Sequence, residues 1–374
     1  PPSDGYEQMK KAYDAGWAGG IMKPAFDNLD IHIPGEYMFS WGEGKKTFAN
    51  CDNVSEHPLD RVCEEIGRLI KEYPDRLSMA STGGPVTGDD EADKAGWQSN
   101  TKKLEAAGAM GIEYSLSCPQ GGDGTHGDIV AQDPQLTAKI IDWVMQISDP
   151  NIPKLFKLTG AVTAIYPIIS AVKGVLDKYP GKKAGVTLAN TFPTLAFRER
   201  ANKPWDEGII VGMSGEGALN ISYLSLARAC KLGVFVSGNG GAMSYLDAAN
   251  FLALGAGNVQ FCTIVERFGY GIIDELKMGL SHLMEARGIK SIDALIGIAQ
   301  PNPVTDFMDL PKKSKSSALS KDLCQKCGNC TRCPYLAISL NEEGYPVIDT
   351  DKCVGCSLCT QLCFAGALYM NPDK

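Results

Sequence analysis

Over roughly its first 300 residues the chain alternates short apolar runs with longer stretches whose apolar positions recur every three to four residues. The short runs predict strands at Gly19–Lys23, Arg76–Ser81, Ile112–Cys118, Lys154–Thr159, Lys183–Asn190, Gly233–Asn239 and Asn258–Ile264. The periodic stretches predict helices at Tyr6–Ala15, Pro58–Glu72, Glu91–Ala107, Pro134–Ser148, Ala161–Lys178, Ala218–Lys231, Ser244–Leu254 and Glu266–Ala286. Strands that are apolar throughout are buried on both faces, and strict strand–helix alternation gives a parallel sheet covered by helices. Two α/β architectures fit. A (β/α)8 TIM barrel collects ligands around a ring of strand C-termini; a doubly wound sheet collects them at one switch point. Polar residues follow many of the expected strands, at Lys23, Ser117–Cys118, Lys157, Asn190–Thr191, Ser237–Gly241 and Thr263, and this favours the barrel. Seven strands are one short of eight, and the chain opens on a loop and a helix. The expectation is therefore that the first strand precedes Pro1 in a longer chain.

The alternation ends at residues 301–320, PNPVTDFMDLPKKSKSSALS, where prolines and a Lys/Ser-rich stretch without period read as a linker. Beyond it the cysteines crowd. Of 13 in the chain, Cys51, Cys63, Cys118, Cys230 and Cys262 are scattered, and the rest lie between Cys324 and Cys363. They form two runs, Cys324-x2-Cys327-x2-Cys330-x2-Cys333 and Cys353-x2-Cys356-x2-Cys359-x3-Cys363. A disulfide scaffold suits small secreted domains, and nothing here has that character. Structural zinc needs four ligands per site and no interleaving of two runs. Three thiols at x2 spacing wrap one face of a cubane, and in two-cluster ferredoxins the fourth thiol of each run closes the other cluster. That rule predicts one [4Fe–4S] cluster on Cys324, Cys327, Cys330 and Cys363, and a second on Cys353, Cys356, Cys359 and Cys333. The first run closes with x2 where x3 is usual, and Phe364 stands where a proline often follows the last cysteine, although Pro334 follows the first run. The expected organisation is a barrel at 1–300, a linker at 301–320 and a bacterial-type α+β ferredoxin domain at 321–374.

With 374 residues, 44% of them hydrophobic, the chain can bury a sizeable core. A net charge of -8 disfavours nucleic acid and anionic membranes as partners. No apolar run reaches the ~18 residues of a membrane span, and no signal-peptide pattern is visible, so a cytoplasmic location is expected.

The loops after the last two strands carry Ser237-Gly238-Asn239-Gly240-Gly241 and Gln260-Phe261-Cys262-Thr263, each leading into a helix. Glycines let backbone N–H groups approach a phosphate, and these are the barrel positions where phosphate often binds; a tight turn needing positive φ is the plainer explanation of each alone. Gly122-Asp123-Gly124-Thr125-His126-Gly127 matches G-x-G-x-x-G, yet Ser117-Cys118-Pro119 intervenes and no helix opens from its third glycine, so it is not read as a dinucleotide fingerprint. His126 there reads as a surface-loop histidine. Lys157 ends a strand among apolar neighbours; facing inward, it needs an anionic partner, and Lys23 poses the same question. Cys118 is either an inert buried thiol or, at the end of a strand on the loop face, a proton donor.

Taken in order, PPSDGYEQMKKAYDAGWAGGIMK, the SCPQ of Ser117–Gln120, FKLTG, Asn190-Thr191, Gly212-x-Ser214-Gly215, DAANFLALGAGNVQFCT, GLSHLMEARGIKSIDALIGIA and the ferredoxin cysteines resemble the dihydropyrimidine dehydrogenases, within the dihydroorotate dehydrogenase superfamily, nearly end to end. The resemblance implies FMN at the barrel mouth. Lys23 and Lys157 would contact its ring or ribityl chain, and Ser214, Gly215, Gly240, Gly241 and Thr263 would hold its phosphate. It implies Cys118 as general acid with Ser117 beside it, and Ser115, Asn190 and Thr191 at the substrate. Electrons would pass through the two clusters from a partner subunit or domain that carries FAD and iron–sulfur centres and oxidises NAD(P)H, within an oligomer. Two departures stand out. Ser115 occupies a position where these enzymes carry Asn, and Ser81-Thr82-Gly83-Gly84 replaces a second Asn. Uracil or thymine is the leading substrate; another unsaturated heterocycle or cyclic amide, or a pure electron-transfer role without organic substrate, are the alternatives.

Overall fold

The computed structural model describes residues 2–27, 38–51, 55, 57–118, 129–162, 164–199, 202–300 and 315–371. The loop containing His126 and most of the linker lie outside them. The chain divides into two units, Pro1–Pro303 and Val304–Lys374.

The first unit runs α1 (Tyr6–Asp14), β1 (Gly19–Ile21), β2 (Met38–Trp41), β3 (Thr47–Asn50), α2 (Leu59–Glu72), β4 (Leu77–Thr82), α3 (Asp90–Ala106), β5 (Ile112–Ser115), α4 (Pro134–Ile147), β6 (Lys154–Lys157) and α5 (Tyr166–Leu176). It continues through β7 (Ala184–Leu188), β8 (Phe192–Arg198), β9 (Glu207–Gly215), α6 (Glu216–Cys230), β10 (Val236–Gly238), α7 (Tyr245–Ala253), β11 (Asn258–Val259), α8 (Thr263–Phe268), α9 (Ile272–Ala286) and α10 (Ile292–Leu295). All seven expected strands form one sheet in the order β1-β4-β5-β6-β7-β10-β11, and every pairing in it is parallel. The sheet curls until its two edges approach. Trp17, before β1, packs edge-on against Phe261, after β11, with ring centroids 5.7 Å apart. Its indole Nε1 also donates to the Tyr270 carbonyl at 2.8 Å. Among the described residues no eighth strand joins β1 to β11.

The helices form because their apolar faces have a sheet to cover. Leu59, Val62, Ile66 and Leu69 make one stripe along α2 and are buried. Trp97 and Leu104 of α3, Ile140, Ile141 and Val144 of α4, and Ile168, Ile169 and Val172 of α5 join them in one continuous core outside the sheet. Burying each such large side chain contributes about 1.5–3 kcal/mol. Asp89 and Asp133 cap α3 and α4 by accepting from backbone amides at the helix starts.

Three expectations need correction. The long helix from Glu266 to Ala286 is two helices: Gly269 adopts φ +80°, which ends α8 before α9 begins. The last strand is only Asn258–Val259, and Thr263 opens α8 instead of closing a strand. The linker ends earlier than Ser320, because Ser316–Leu319 pairs antiparallel with Leu368–Asn371 some fifty residues away.

A second sheet was not expected at all. β2, β3, β9 and β8 form an antiparallel sheet in the order β2-β3-β9-β8. Its strands come from the connections that follow β1 and β7, on the barrel's C-terminal side. Exposed and half-buried residues alternate along β8 and the first part of β9, and Ala49, Ala196 and Val211 are buried together in a small apolar cluster.

In the second unit β12 (Ser316–Leu319) pairs with β15 (Leu368–Asn371), β13 (Ile338–Leu340) with β14 (Pro346–Ile348), and α11 (Leu358–Leu362) lies between.

Candidate active site and cluster site

Inside the first unit, at the C-terminal ends of the parallel strands, lies a cavity of about 460 Å³. Every barrel strand delivers residues to it: Lys23 after β1, Ser81 from β4, Glu113, Ser115, Ser117 and Cys118 from β5, Lys157 from β6, Asn190 and Thr191 after β7, Asn239–Gly241 after β10, and Gln260–Thr263 after β11. The four-stranded sheet supplies a wall through Met38, Asn50, Cys51, Pro193 and the segment Ile210–Ser214. Residues scattered over 240 positions therefore meet because parallel strands all end on one face.

One end of the cavity is a backbone cradle. Gly240 and Gly241 take φ +100° and +102°. A Cβ on Gly241 would stand 2.7 Å from the Gly215 carbonyl oxygen and the Leu219 amide nitrogen, and one on Gly240 would meet the Ala189 carbonyl oxygen at 2.8 Å. The Thr263 and Ser214 hydroxyls are hydrogen-bonded at 3.0 Å, and Ser214 also donates to the Phe48 carbonyl. Ser214 thus ties β9 and β3 to the start of α8. Glycine backbone with no side chain between it and the cavity, beside the start of a helix, suits the close approach of a phosphate. Gly241→Ala is expected to lose most bound flavin, because strain at positive φ and the collision with Gly215 and Leu219 push the cradle open. FMN content per chain after purification measures it, and stoichiometric FMN in the variant would show that this loop does not hold the phosphate.

At the cavity floor Lys157 meets Glu113, with Nζ 3.5 Å from Oε1. Burial works against the ammonium, but Glu113 and the thiols of Cys118 and Cys262 outweigh it, and the pKa of Lys157 lies above the ordinary lysine value. Lys23 is buried beside the β1 end, its backbone N–H donating to the Ser3 carbonyl. The anionic partner demanded for Lys157 is thus Glu113, which the sequence reading passed over. A glutamate in the run Ile112-Glu113-Tyr114-Ser115, otherwise apolar and small, was the available signal.

On another side Cys118 has its sulfur 3.0 Å from the Ser115 hydroxyl, which donates to it. The Asn190 amide reaches the same sulfur at 3.9 Å and the Ser117 carbonyl at 3.3 Å. Ser117 Oγ is buried with no hydrogen-bond partner among the described residues. A buried hydroxyl left so at a cavity wall is completed by whatever fills the cavity. The cavity wall carries a third thiol, Cys262, exposed to it, whose sulfur donates to Glu266 Oε1 at 3.8 Å; the surrounding protein and that carboxylate raise its pKa.

In the second unit the eight thiols of Cys324, Cys327, Cys330, Cys333, Cys353, Cys356, Cys359 and Cys363 all line one cavity. Burial first, then the neighbouring thiols of Cys327, Cys324 and Cys363, raises the Cys330 pKa. The fourth thiol beside the first run thus comes from the second. Backbone N–H groups face the sulfurs, from Lys326 to Cys324 at 3.4 Å and from Ala367 to Cys363 at 3.3 Å. The amides around Cys363 overcome its burial and lower its pKa. Thiols spaced around a volume, with amide donors on their sulfurs, fit a cluster of several irons, whose sulfurs take such bonds.

The fold is that of the dihydroorotate dehydrogenases: the chain superimposes on the crystal structure of DHODH in complex with ferulenol from Eimeria tenella with a TM-score of 0.65, at 14% identity over 80% of this chain and 83% of that one. Residues 346–369 match the 4Fe-4S binding domain family. Over 98% of its length the chain is 29% identical to the NAD-dependent dihydropyrimidine dehydrogenase subunit PreA of Escherichia coli (strain K12), covering 81% of that protein. It is 27% identical to the chloroplastic dihydropyrimidine dehydrogenase (NADP(+)) of Arabidopsis thaliana over 85% of this chain and 76% of the relative.

Proposed function

We propose that the chain is an FMN- and iron–sulfur-dependent oxidoreductase that reduces, or in reverse forms, the C=C bond of a pyrimidine such as uracil or thymine. The domain reading is a flavin-binding barrel at 1–300 and a two-cluster domain that includes β12 from Ser316 onward. The observation that carries the reading is one cavity holding a glycine-lined backbone cradle, a paired lysine and a thiol with two donors on its sulfur. The backbone around Gly215, Gly240, Gly241 and Thr263, with Ser214, would hold the FMN phosphate; Lys157 and Lys23 would hold its ring and ribityl chain. Bound FMN supplies hydride chemistry at one alkene carbon.

The chain's residues handle the proton. Ser115 and Asn190 donate to the Cys118 sulfur, whose own hydrogen is the one transferred. Once that hydrogen is given to the neighbouring alkene carbon, the same two donors and Lys157 stabilise the thiolate. Ser117, unpartnered among the described residues, stands ready to carry the replacement proton. Asn190 and Thr191 face the ring's polar edge. The thiols of the second unit would hold two [4Fe–4S] clusters that relay electrons from an NAD(P)H-oxidising flavoprotein partner. Among the described residues no helix is long and apolar enough to cross a membrane. We place the complex in the cytoplasm.

Protein reduced by light under anaerobic conditions should be reoxidised by uracil or thymine, read as the return of flavin absorbance near 450 nm, a wavelength set by flavin itself. Ser81 and Ser115 at the cavity wall carry single hydroxyls where amides would read a pyrimidine edge. If neither pyrimidine restores the band while another unsaturated cyclic amide does, the chemistry stands and the substrate moves.

A further inference from the structure

The interior of the barrel beneath the cavity is polar. Glu113 projects inward from β5 and is almost fully buried. Its Oε2 accepts from the Thr187 hydroxyl at 2.7 Å and from the Gln260 amide at 3.2 Å, while Oε1 faces Lys157 at 3.5 Å. Gln260 is held in turn by donating to the Ser237 hydroxyl at 2.8 Å. Four strands thus orient one carboxylate. Lys157 and Glu113 both line the cavity. A lone lysine would give this floor a full positive charge; the pair gives it close to none.

We propose that Glu113 is a positioning residue and counter-charge that holds the Lys157 ammonium at the cavity and offsets its field, so that the pair would set the reduction potential of a flavin bound there. The proposal rests on the reading of the cavity as a flavin site. Two-electron reduction with uptake of one proton leaves the flavin anionic. The ammonium favours that form and the carboxylate opposes it, and at low effective dielectric both act strongly over a few ångströms. A buried carboxylate is costly unless hydrogen-bonded and paired. Thr187, Gln260 and Lys157 supply those bonds here.

The test is a redox titration of the flavin-loaded full chain and three variants. Glu113→Gln keeps the size and the hydrogen-bonding reach. It should raise the reduced-to-oxidised flavin ratio at fixed poise by roughly tenfold, about 30 mV for a two-electron couple. Lys157→Met should lower that ratio by at least as much. The double variant Glu113→Gln/Lys157→Met leaves no buried charge unpaired, and its midpoint should lie between those of the single variants. If Glu113→Gln loses its flavin, comparing Lys157→Met with the double variant still isolates the carboxylate, and the double variant should be the more easily reduced. Flavin that binds with an unchanged midpoint on loss of Glu113 overturns this proposal alone. A wild-type chain that takes up no flavin overturns the site reading and this proposal with it.

Discussion

Cys118→Ala is expected to slow reduction of the ring by roughly 10²–10⁴-fold, the usual worth of a general acid, while FMN stays bound in full. The two effects separate because the thiol and the phosphate cradle stand on different loops. Cys118 follows β5, whereas the cradle is built from Gly215, Gly240 and Gly241. No atom of the cradle depends on the sulfur. The lost step is specific: an alanine methyl gives no proton, and a water in its place, though Ser115 and Asn190 could donate to it as they do to the sulfur at 3.0 and 3.9 Å, is a far weaker acid than a thiol. Cys118→Ser should retain a little more activity than Cys118→Ala, since a hydroxyl can hydrogen-bond to Ser115 and Asn190 but is a far weaker acid than a thiol. The measurement is single-turnover decay of reduced flavin on mixing with substrate, with FMN content as control. Wild-type rates in Cys118→Ala would sink the enzyme reading and leave a subunit that only passes electrons.

The second large effect belongs to the C-terminal unit. Replacing Cys330 or Cys356 by alanine is expected to remove one cluster, seen as loss of about half the iron and the matching charge-transfer absorbance, and to slow reduction of the flavin by the partner more than tenfold. Cys330 sits beside Cys327, Cys324 and Cys363, so its loss leaves three thiols where a cubane needs four. The exposed surface of this unit is extensive, and its core is small: Ala337, Ile338, Ala367 and Leu368 are its main buried apolar residues. A unit with so little to bury depends on its metal for folding, so the variant should also be cleaved faster by protease within 321–374. Direct photoreduction of the flavin bypasses the relay and should remain unchanged. Cys230→Ser is the control. That thiol lies in the first unit, where burial pushes it up to about 11, and its replacement should leave iron content intact. Unchanged iron in Cys330→Ala would remove that thiol from the ligand set.

Much of this protein could be read along the chain. Short apolar runs and period-3.6 patterning located the seven barrel strands and the helices over them, because burial against a sheet is a local demand on neighbouring residues. The two cysteine runs were legible for a similar reason, since thiols separated by two residues share a turn. Lys157 could be singled out as a lysine needing a partner, and Cys118 as a thiol at a strand end. The strands of the second sheet were missed although exposed and half-buried positions alternate along Phe192–Arg198, because the sheet is assembled by pairing β3 with β9 across more than 160 residues. Gly269 broke a helix whose apolar period ran on past it.

What the residues alone determined is the kind of parts present: a parallel strand–helix repeat, two cysteine runs, glycine loops after the last strands, and a lysine and a thiol awaiting company. Tertiary structure alone decided which of them meet. Glu113, Thr187, Ser237 and Gln260 share one polar layer because four parallel strands turn those side chains to a common axis, and Ser115 lies against the Cys118 sulfur because the chain bends back just after β5. Contacts across a closed sheet depend on strand stagger and curl, which are summed over the whole barrel and leave no mark on any single stretch of sequence.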